Sequence, residues 1–258
     1  MPASAASALA RAKERGHRLF ICTGRSAPEV YPRFFDLGFE GIVGGAGGYA
    51  AVGSTVLFDE RMPAEHVEAL TRMWEELGAF YVWQGPDQMG PSRGYLDFFV
   101  PRAGENPQDW VEYGESVTPF VVDIEGGSFT KVTAYVRPEN ASMERISAAL
   151  PDGYRAIIGS VGAAGYVPFE VLPTRLSKAV GIEAVCEYLG IPLSRSVAIG
   201  DSNNDVEAVA RAGVGISIGD GCEALVEVAD IVAPAVGDDG FAWALAAAGL
   251  IDEAPNPA

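Results

Sequence analysis

Apolar positions along the chain follow two rhythms, short β-branched runs and helical spacings of three and four, and these alternate in the manner of an α/β protein with a mostly parallel sheet. A helical period from Ser4 to Glu14 stops at Gly16, whose freedom at positive φ suits a helix end. "HRLFICTGRS" then reads as a buried strand running into a polar turn, followed by a second helix over Ala27 to Leu37. After "GIVGGAGG" the segment "YAAVGSTVLF" predicts a hairpin with Gly53 and Ser54 at its turn.

From Glu60 to Pro173 the pattern changes character. A helix over Ala64 to Gly78 leads to strands at "FYVWQG" and "GYLDFFV" and a short helix near Trp110. A strand at "FTKVTAYV", a helix over Ala141 to Leu150 and two more strands follow. Such a block predicts an antiparallel α+β domain inserted into the first unit. The parallel rhythm returns at Leu176, with "SVAIGD", "GVGISIG" and "ADIVAP" each set between helices. The expected organisation is a core of 1–60 and 174–250, an inserted domain of 61–173, and a disordered tail of 251–258.

Composition narrows the function classes. A chain of 258 residues that is 48% hydrophobic can bury a full core, and no apolar run reaches the length of a membrane span. The N-terminus has no apolar export core, and three scattered cysteines make neither a disulfide framework nor a zinc site, so a reduced cytoplasm is expected. With 35 acidic against 18 basic residues the net charge of −17 repels a phosphate backbone, which argues against nucleic acid as a partner. A small phosphorylated ligand remains compatible, because a local pocket can oppose the global field. Oligomeric state leaves no trace in the sequence.

Candidate chemistry concentrates at strand ends. In "VAIGDSNNDVEAV" two acids, Asp201 and Asp205, follow a buried strand, where an ionised carboxylate needs a partner. A divalent cation is one such partner, and capping of the following helix is the alternative. Thr23 and Gly24 end a strand where free N–H groups and a hydroxyl can receive a phosphate, or form a plain turn. Arg25 can clamp an anion or sit in solvent, and Lys178, opening a helix, can be a ligand group or a surface charge. "GGAGGYA" has a dinucleotide-binding spacing, but the β-branched segment after it is not the helix that such a site requires.

Taken together and in this order, these motifs resemble the haloacid dehalogenase-like phosphatases, specifically the Cof-type branch with a type IIB cap. "LFICTGR" is similar to the family's second motif, "FEVLPTRLSKAVGIEAV" to its third and "VAIGDSNNDVEAV" to its fourth, GDxxND. The resemblance implies a Rossmann-like core with the inserted block as its cap, and Mg²⁺-dependent hydrolysis of a small phosphorylated metabolite such as a sugar phosphate. It implies that Thr23, Gly24 and Asn204 bind the phosphate, that Lys178 binds it and balances charge, and that Asp201 and Asp205 serve the metal, Asp205 directly or through water. Arg25 becomes a candidate substrate contact. Two departures stand out: Gly219 and Asp220 replace a more usual Gly-Asn pair, and Gly47 to Tyr49 replace Asn-Gly-Ala.

One part of the family pattern is missing. Its nucleophile is the first Asp of a DxDGT motif on a strand ahead of the initial helix, and no Asp-X-Asp-Gly occurs in these 258 residues. The resemblance therefore implies a chain without the central strand of its sheet and without its attacking carboxylate, inactive as it stands. A non-catalytic protein that binds a phosphorylated metabolite is the alternative. The aromatic residues Tyr81, Trp83, Tyr95, Phe98 and Phe99 of the inserted block can stack on a substrate or fill its core.

Overall fold

The chain begins with α1 (Ala3–Glu14), which buries Ala5, Ala8, Leu9 and Ala12 at helical spacing. In the computed structural model, which describes residues 1–103, 108–219 and 221–252, β1 (Phe20–Cys22) follows and pairs in parallel with β2 (Gly41–Gly44). β2 runs antiparallel to β3 (Tyr49–Val52), and β4 (Thr55–Asp59) completes a sheet of order β1-β2-β3-β4. Gly53, at φ 56, makes the turn between β3 and β4.

The segment expected as one helix over 27–37 is instead two 3₁₀ turns, Ala27–Glu29 and Pro32–Leu37. Two prolines decide this. Pro28 fits a first turn, but Pro32 lacks an N–H and disfavours the helical region at Tyr31, while Val30 is already extended.

The next elements are α2 (Ala64–Glu76), β5 (Phe80–Gln84), β6 (Met89–Pro91), α3 (Tyr95–Phe99) and α4 (Gln108–Val117). They are followed by β7 (Lys131–Val136), α5 (Met143–Ala148), β8 (Tyr154–Ile158) and β9 (Val167–Pro173). The five strands form one antiparallel sheet of order β6-β5-β7-β9-β8. "GYLDFFV", expected as a strand, is the helix α3: its buried residues Tyr95, Phe98 and Phe99 lie at i, i+3 and i+4, a helical face. One side of the sheet packs Tyr81, Trp83, Val132, Ala134 and Val171 with Val67, Leu70 and Trp74 of α2. The other side packs Val82 and Tyr135 with Tyr95, Phe98, Phe99 and Tyr113. All five cap aromatics singled out in the sequence are thus core residues, each no more than 4% exposed.

Then come α6 (Lys178–Tyr188), β10 (Val197–Gly200), α7 (Val206–Arg211), β11 (Val214–Ile218), α8 (Glu223–Val228), β12 (Ile231–Ala233) and α9 (Gly240–Ala247). β10, β11 and β12 make a parallel three-stranded sheet. Among the described residues β1 pairs only with β2, and β10 only with β11. The polypeptide divides into two units, one of Met1–Gly24, Pro32–Phe58 and everything from Ser177 on, the other of Arg25–Tyr31 and Asp59–Leu176. Arg25–Tyr31 therefore groups with the inserted unit and not with its neighbours in sequence. The expected tail also begins later than 251, since Ile251 is buried with Ala8, Ala12, Ala242 and Leu245, and Asp252 pairs with Arg15. Residues 253–258 lie outside the described part. No described helix is long and apolar enough to cross a membrane.

Candidate active site

The end of β10 is built around one carboxylate. Gly200 leaves room for it, because a Cβ there would stand 2.3 Å from Asp205 Cβ. The chain then turns through Ser202 and the 3₁₀ segment Asn203–Asp205, with a capping box between Ser202 and Asp205. Asp205 Oδ2 accepts hydrogen bonds from the backbone N–H groups of Asp201 (3.3 Å) and Ser202 (3.2 Å). Ser202 Oγ lies 3.0 Å from the same oxygen and 2.9 Å from Asn204 Oδ1, and its single proton serves either.

Lys178 closes the arrangement from the first residue of α6. Its ammonium donates to Asp205 Oδ1 at 2.6 Å and to Asn204 Oδ1 at 2.8 Å, in a position where only 5% of the residue is exposed. A lysine so desolvated requires a counter-charge, and Asp205, itself 7% exposed, supplies it. Lys178 is thus not a surface charge.

Thr23 and Gly24 enter from β1. The Thr23 N–H donates to Val43 O at 2.8 Å, and Thr23 O accepts from Ala46 N at 3.2 Å, which ties the strand end to the loop after β2. That loop holds Gly45, Ala46 and Gly47 at positive φ in succession. Gly47 packs directly on the start of α6: at φ +94, a Cβ would come within 1.9 Å of Ser177 O and 2.9 Å of Lys178 N. A Cβ on Gly24 would stand 3.2 Å from Asn204 Nδ2, so the two phosphate candidates are neighbours. Cys22 shares the site. Burial pushes its thiol up to about 12, with Lys178 lowering and Asp205 raising it by smaller amounts.

The fold thus brings Gly24, Lys178, Asn204 and Asp205 together, with Thr23 joined to Gly24 and Asp201 at the mouth of the turn. Asp201 is exposed, whereas both oxygens of Asp205 already accept from protein donors. Arg25 belongs to the other unit, where it donates to Glu29 O at 3.3 Å and lies 5.4 Å from the Trp110 ring centroid. No group of three or more His, Cys, Asp or Glu side chains that could hold a metal occurs among the described residues. The two carboxylates are hard oxygen donors, and they fit an Mg²⁺ ion that keeps several waters and takes one or two protein carboxylates. Ser202 is not among the residues the sequence singles out, and Gly47 stands there only as a departure from the family pattern. The Ser-X-X-Asp spacing signals Ser202, but nothing local signals that Gly47 touches a helix far along the chain.

The family model of the haloacid dehalogenase-like hydrolases matches residues 1–245, nearly the whole chain. The chain belongs to this family. Over 251 residues, 97% of this chain and 92% of the relative, the hydrolase is 25% identical to "Putative phosphatase YkrA" of Bacillus subtilis. Its fold superposes with a TM-score of 0.76 on a hypothetical protein of Geobacillus kaustophilus that is 27% identical, covering 97% and 93% of the two chains. An equal TM-score relates it to the subclass IIB sugar phosphatase BT4131 at 21% identity, again over 97% and 93%, a likeness of fold.

Proposed function

We propose that this hydrolase is a Mg²⁺-dependent phosphomonoesterase site for a small phosphorylated metabolite, a sugar phosphate or a compound like it. The observation that carries the reading is the buried Lys178 ammonium, held by Asp205 and Asn204 beside the Gly24 turn. A phosphoryl group calls for fixed cations and N–H donors around oxygens over which charge spreads. Lys178 supplies the cation, Asn204 an amide, Thr23 a hydroxyl and Gly24 a backbone N–H at a strand end. Asp205 pairs with Lys178 and orients it, and Asp201 offers its exposed carboxylate to the metal, with Asp205 behind it. Bound there, Mg²⁺ would polarise the phosphoryl oxygens and neutralise developing charge. The names of the YkrA and BT4131 relatives support phosphate-ester chemistry and a sugar-like substrate.

An attacking carboxylate is the remaining requirement. No Asp-X-Asp-Gly is present, and β1 and β10 each have a described neighbour on one side only. A strand carrying Asp-X-Asp-Gly-Thr beside them would supply the nucleophile, and without it the site binds phosphate but does not turn it over. Comparing hydrolysis of an aryl phosphate and a panel of sugar phosphates, with Mg²⁺ and with chelator, tests this on the 258-residue chain and on one extended by such a strand. The account expects Mg²⁺-dependent turnover from the extended chain alone. Ordinary turnover by the 258 residues, abolished by Asp201→Asn, would place the nucleophile elsewhere. A folded, extended chain that stays inactive would favour a second reading, which the absent motif already supports: binding of a phosphorylated metabolite without catalysis. The free, scattered cysteines suit a reducing cytoplasm.

A further inference from the structure

Outside this site, a second buried polar cluster centres on Glu29, in a segment that the sequence places beside Gly24. Glu29 is 5% exposed. Its Oε2 accepts from Ser26 N (2.7 Å), Ser26 Oγ (2.8 Å) and Gln84 Nε2 on β5 (2.7 Å), and its Oε1 accepts from the Tyr113 hydroxyl on α4 (3.2 Å). Gln84 is fixed in turn, since its Oε1 accepts from Thr133 Oγ1 on β7 at 2.8 Å. The same segment is fastened a second time where Ser116 Oγ on α4 donates to Pro28 O at 2.7 Å. Such a cluster is costly unless every member stays satisfied, which makes the bound position of the segment sharply defined.

The consequence follows from connectivity. Because Arg25–Tyr31 lies in the second unit while Gly24 and Pro32 lie in the first, the chain passes between the units at four peptide links: 24–25, 31–32, 58–59 and 176–177. An ordinary insertion has two. The first of the four links directly follows Thr23 and Gly24.

From this we infer that Glu29 is a positioning residue: it fastens the segment after the Gly24 turn to β5 and α4 of the second unit and thereby fixes the backbone that presents Thr23 and Gly24. Glu29 does not touch the phosphate. It acts through the five peptide links that separate it from Gly24, and the carboxylate is needed because it accepts from its own turn and from two foreign donors at once. The inference rests on the phosphate reading of the site only for its effect on affinity.

The test uses the full chain and two readouts. Hydrogen exchange of the amides over 23–31 reports the fastening, and titration with inorganic phosphate in the presence of Mg²⁺ reports its effect on the site. Glu29→Ala is expected to speed exchange at Ser26 and its neighbours by about ten- to hundredfold, the loss of a charge-assisted cluster, with the exchange of β11 unchanged. Tyr113→Phe and Gln84→Leu, each removing one donor, are expected to give the same pattern in smaller measure, and they keep the test valid if Glu29→Ala unfolds. Phosphate affinity should fall about fivefold in Glu29→Ala and recover partly in Glu29→Gln, which retains an acceptor oxygen. Unchanged exchange over 23–31 in the folded variants would overturn the inference. So would faster exchange with phosphate affinity untouched, because the fastening would then serve the second unit alone. If the unaltered chain binds no phosphate, the phosphate reading fails, and the exchange over 23–31 alone then upholds or overturns the fastening by Glu29.

Discussion

Asp201 and Asp205 stand four residues apart and are held in opposite ways, one exposed and one with every oxygen engaged. Replacing Asp205 by Ala strands a buried ammonium and three donors. Loss of one partner from a buried pair costs about 3 to 5 kcal/mol, so Asp205→Ala should lower the denaturant midpoint sharply. Asp201→Asn should leave that midpoint within about 0.5 kcal/mol of the unaltered chain and weaken Mg²⁺ binding instead. Equal stability losses would show that both acids are structural. Cys22 gives a second contrast. With its thiol raised from 9.0 to about 12, it holds its proton in the folded chain where the unfolded chain releases it. Its contribution to stability is therefore intact below pH 9 and is lost as the pH climbs towards 12. Because only the thiolate is alkylated, mass-mapped labelling at pH 8 should leave Cys22 unmodified until the protein is denatured. Rapid labelling in the native state would contradict this. At this scale the family resemblance singled out Lys178, Asn204 and Asp205, and the structure puts their side chains in contact. What could not be read was that Asp205 is spent on protein donors, since that depends on Gly200 admitting its side chain.

Elements owe their legibility to period, and they mislead where proline or compactness overrides it. The segment 27–37 carries a helical pattern, but Pro32 removes a donor and pushes Tyr31 out of the helical region, which frees Glu29 to enter the second unit. "GYLDFFV" is short enough that aromatic content suggests a strand, while the spacing of Tyr95, Phe98 and Phe99 makes a helix. The loop after β2 was legible as glycine-rich and not as a support for α6, because its contact with Ser177 and Lys178 is long-range. Gly47 makes a prediction at this scale. At φ +94 with Ser177 O in the way, Gly47→Ala should destabilise by about 2 kcal/mol or more and displace Lys178. Gly53, also at positive φ but with open space around its missing Cβ, should cost only about 1 kcal/mol when replaced by Ala. Thermal unfolding of the two variants separates close approach from backbone conformation alone, and equal shifts would remove the argument for Gly47 as a seat for the helix.

The whole molecule reads as a haloacid dehalogenase-like hydrolase whose parallel β10-β11-β12 sheet and whose β1-β2-β3-β4 sheet present their candidate residues at strand ends. The alternation of apolar rhythms disclosed the fold class and the inserted α+β unit. It could not disclose that Arg25–Tyr31 changes unit, because that depends on Gln84, Tyr113 and Ser116 meeting a short segment from far away in sequence. Nor could aromatic content tell a binding surface from a core, a question that burial of Tyr81, Trp83, Tyr95, Phe98 and Phe99 decides. The central claim is that the Lys178 cluster is a phosphate site, and calorimetric titration of inorganic phosphate in the presence of Mg²⁺ tests it most directly. The account predicts saturable binding to the 258-residue chain, weakened at least about tenfold in a Lys178→Ala variant shown by circular dichroism to be folded, the scale of one charge-assisted contact in a buried setting. Equal affinity of the two folded proteins for phosphate would contradict it.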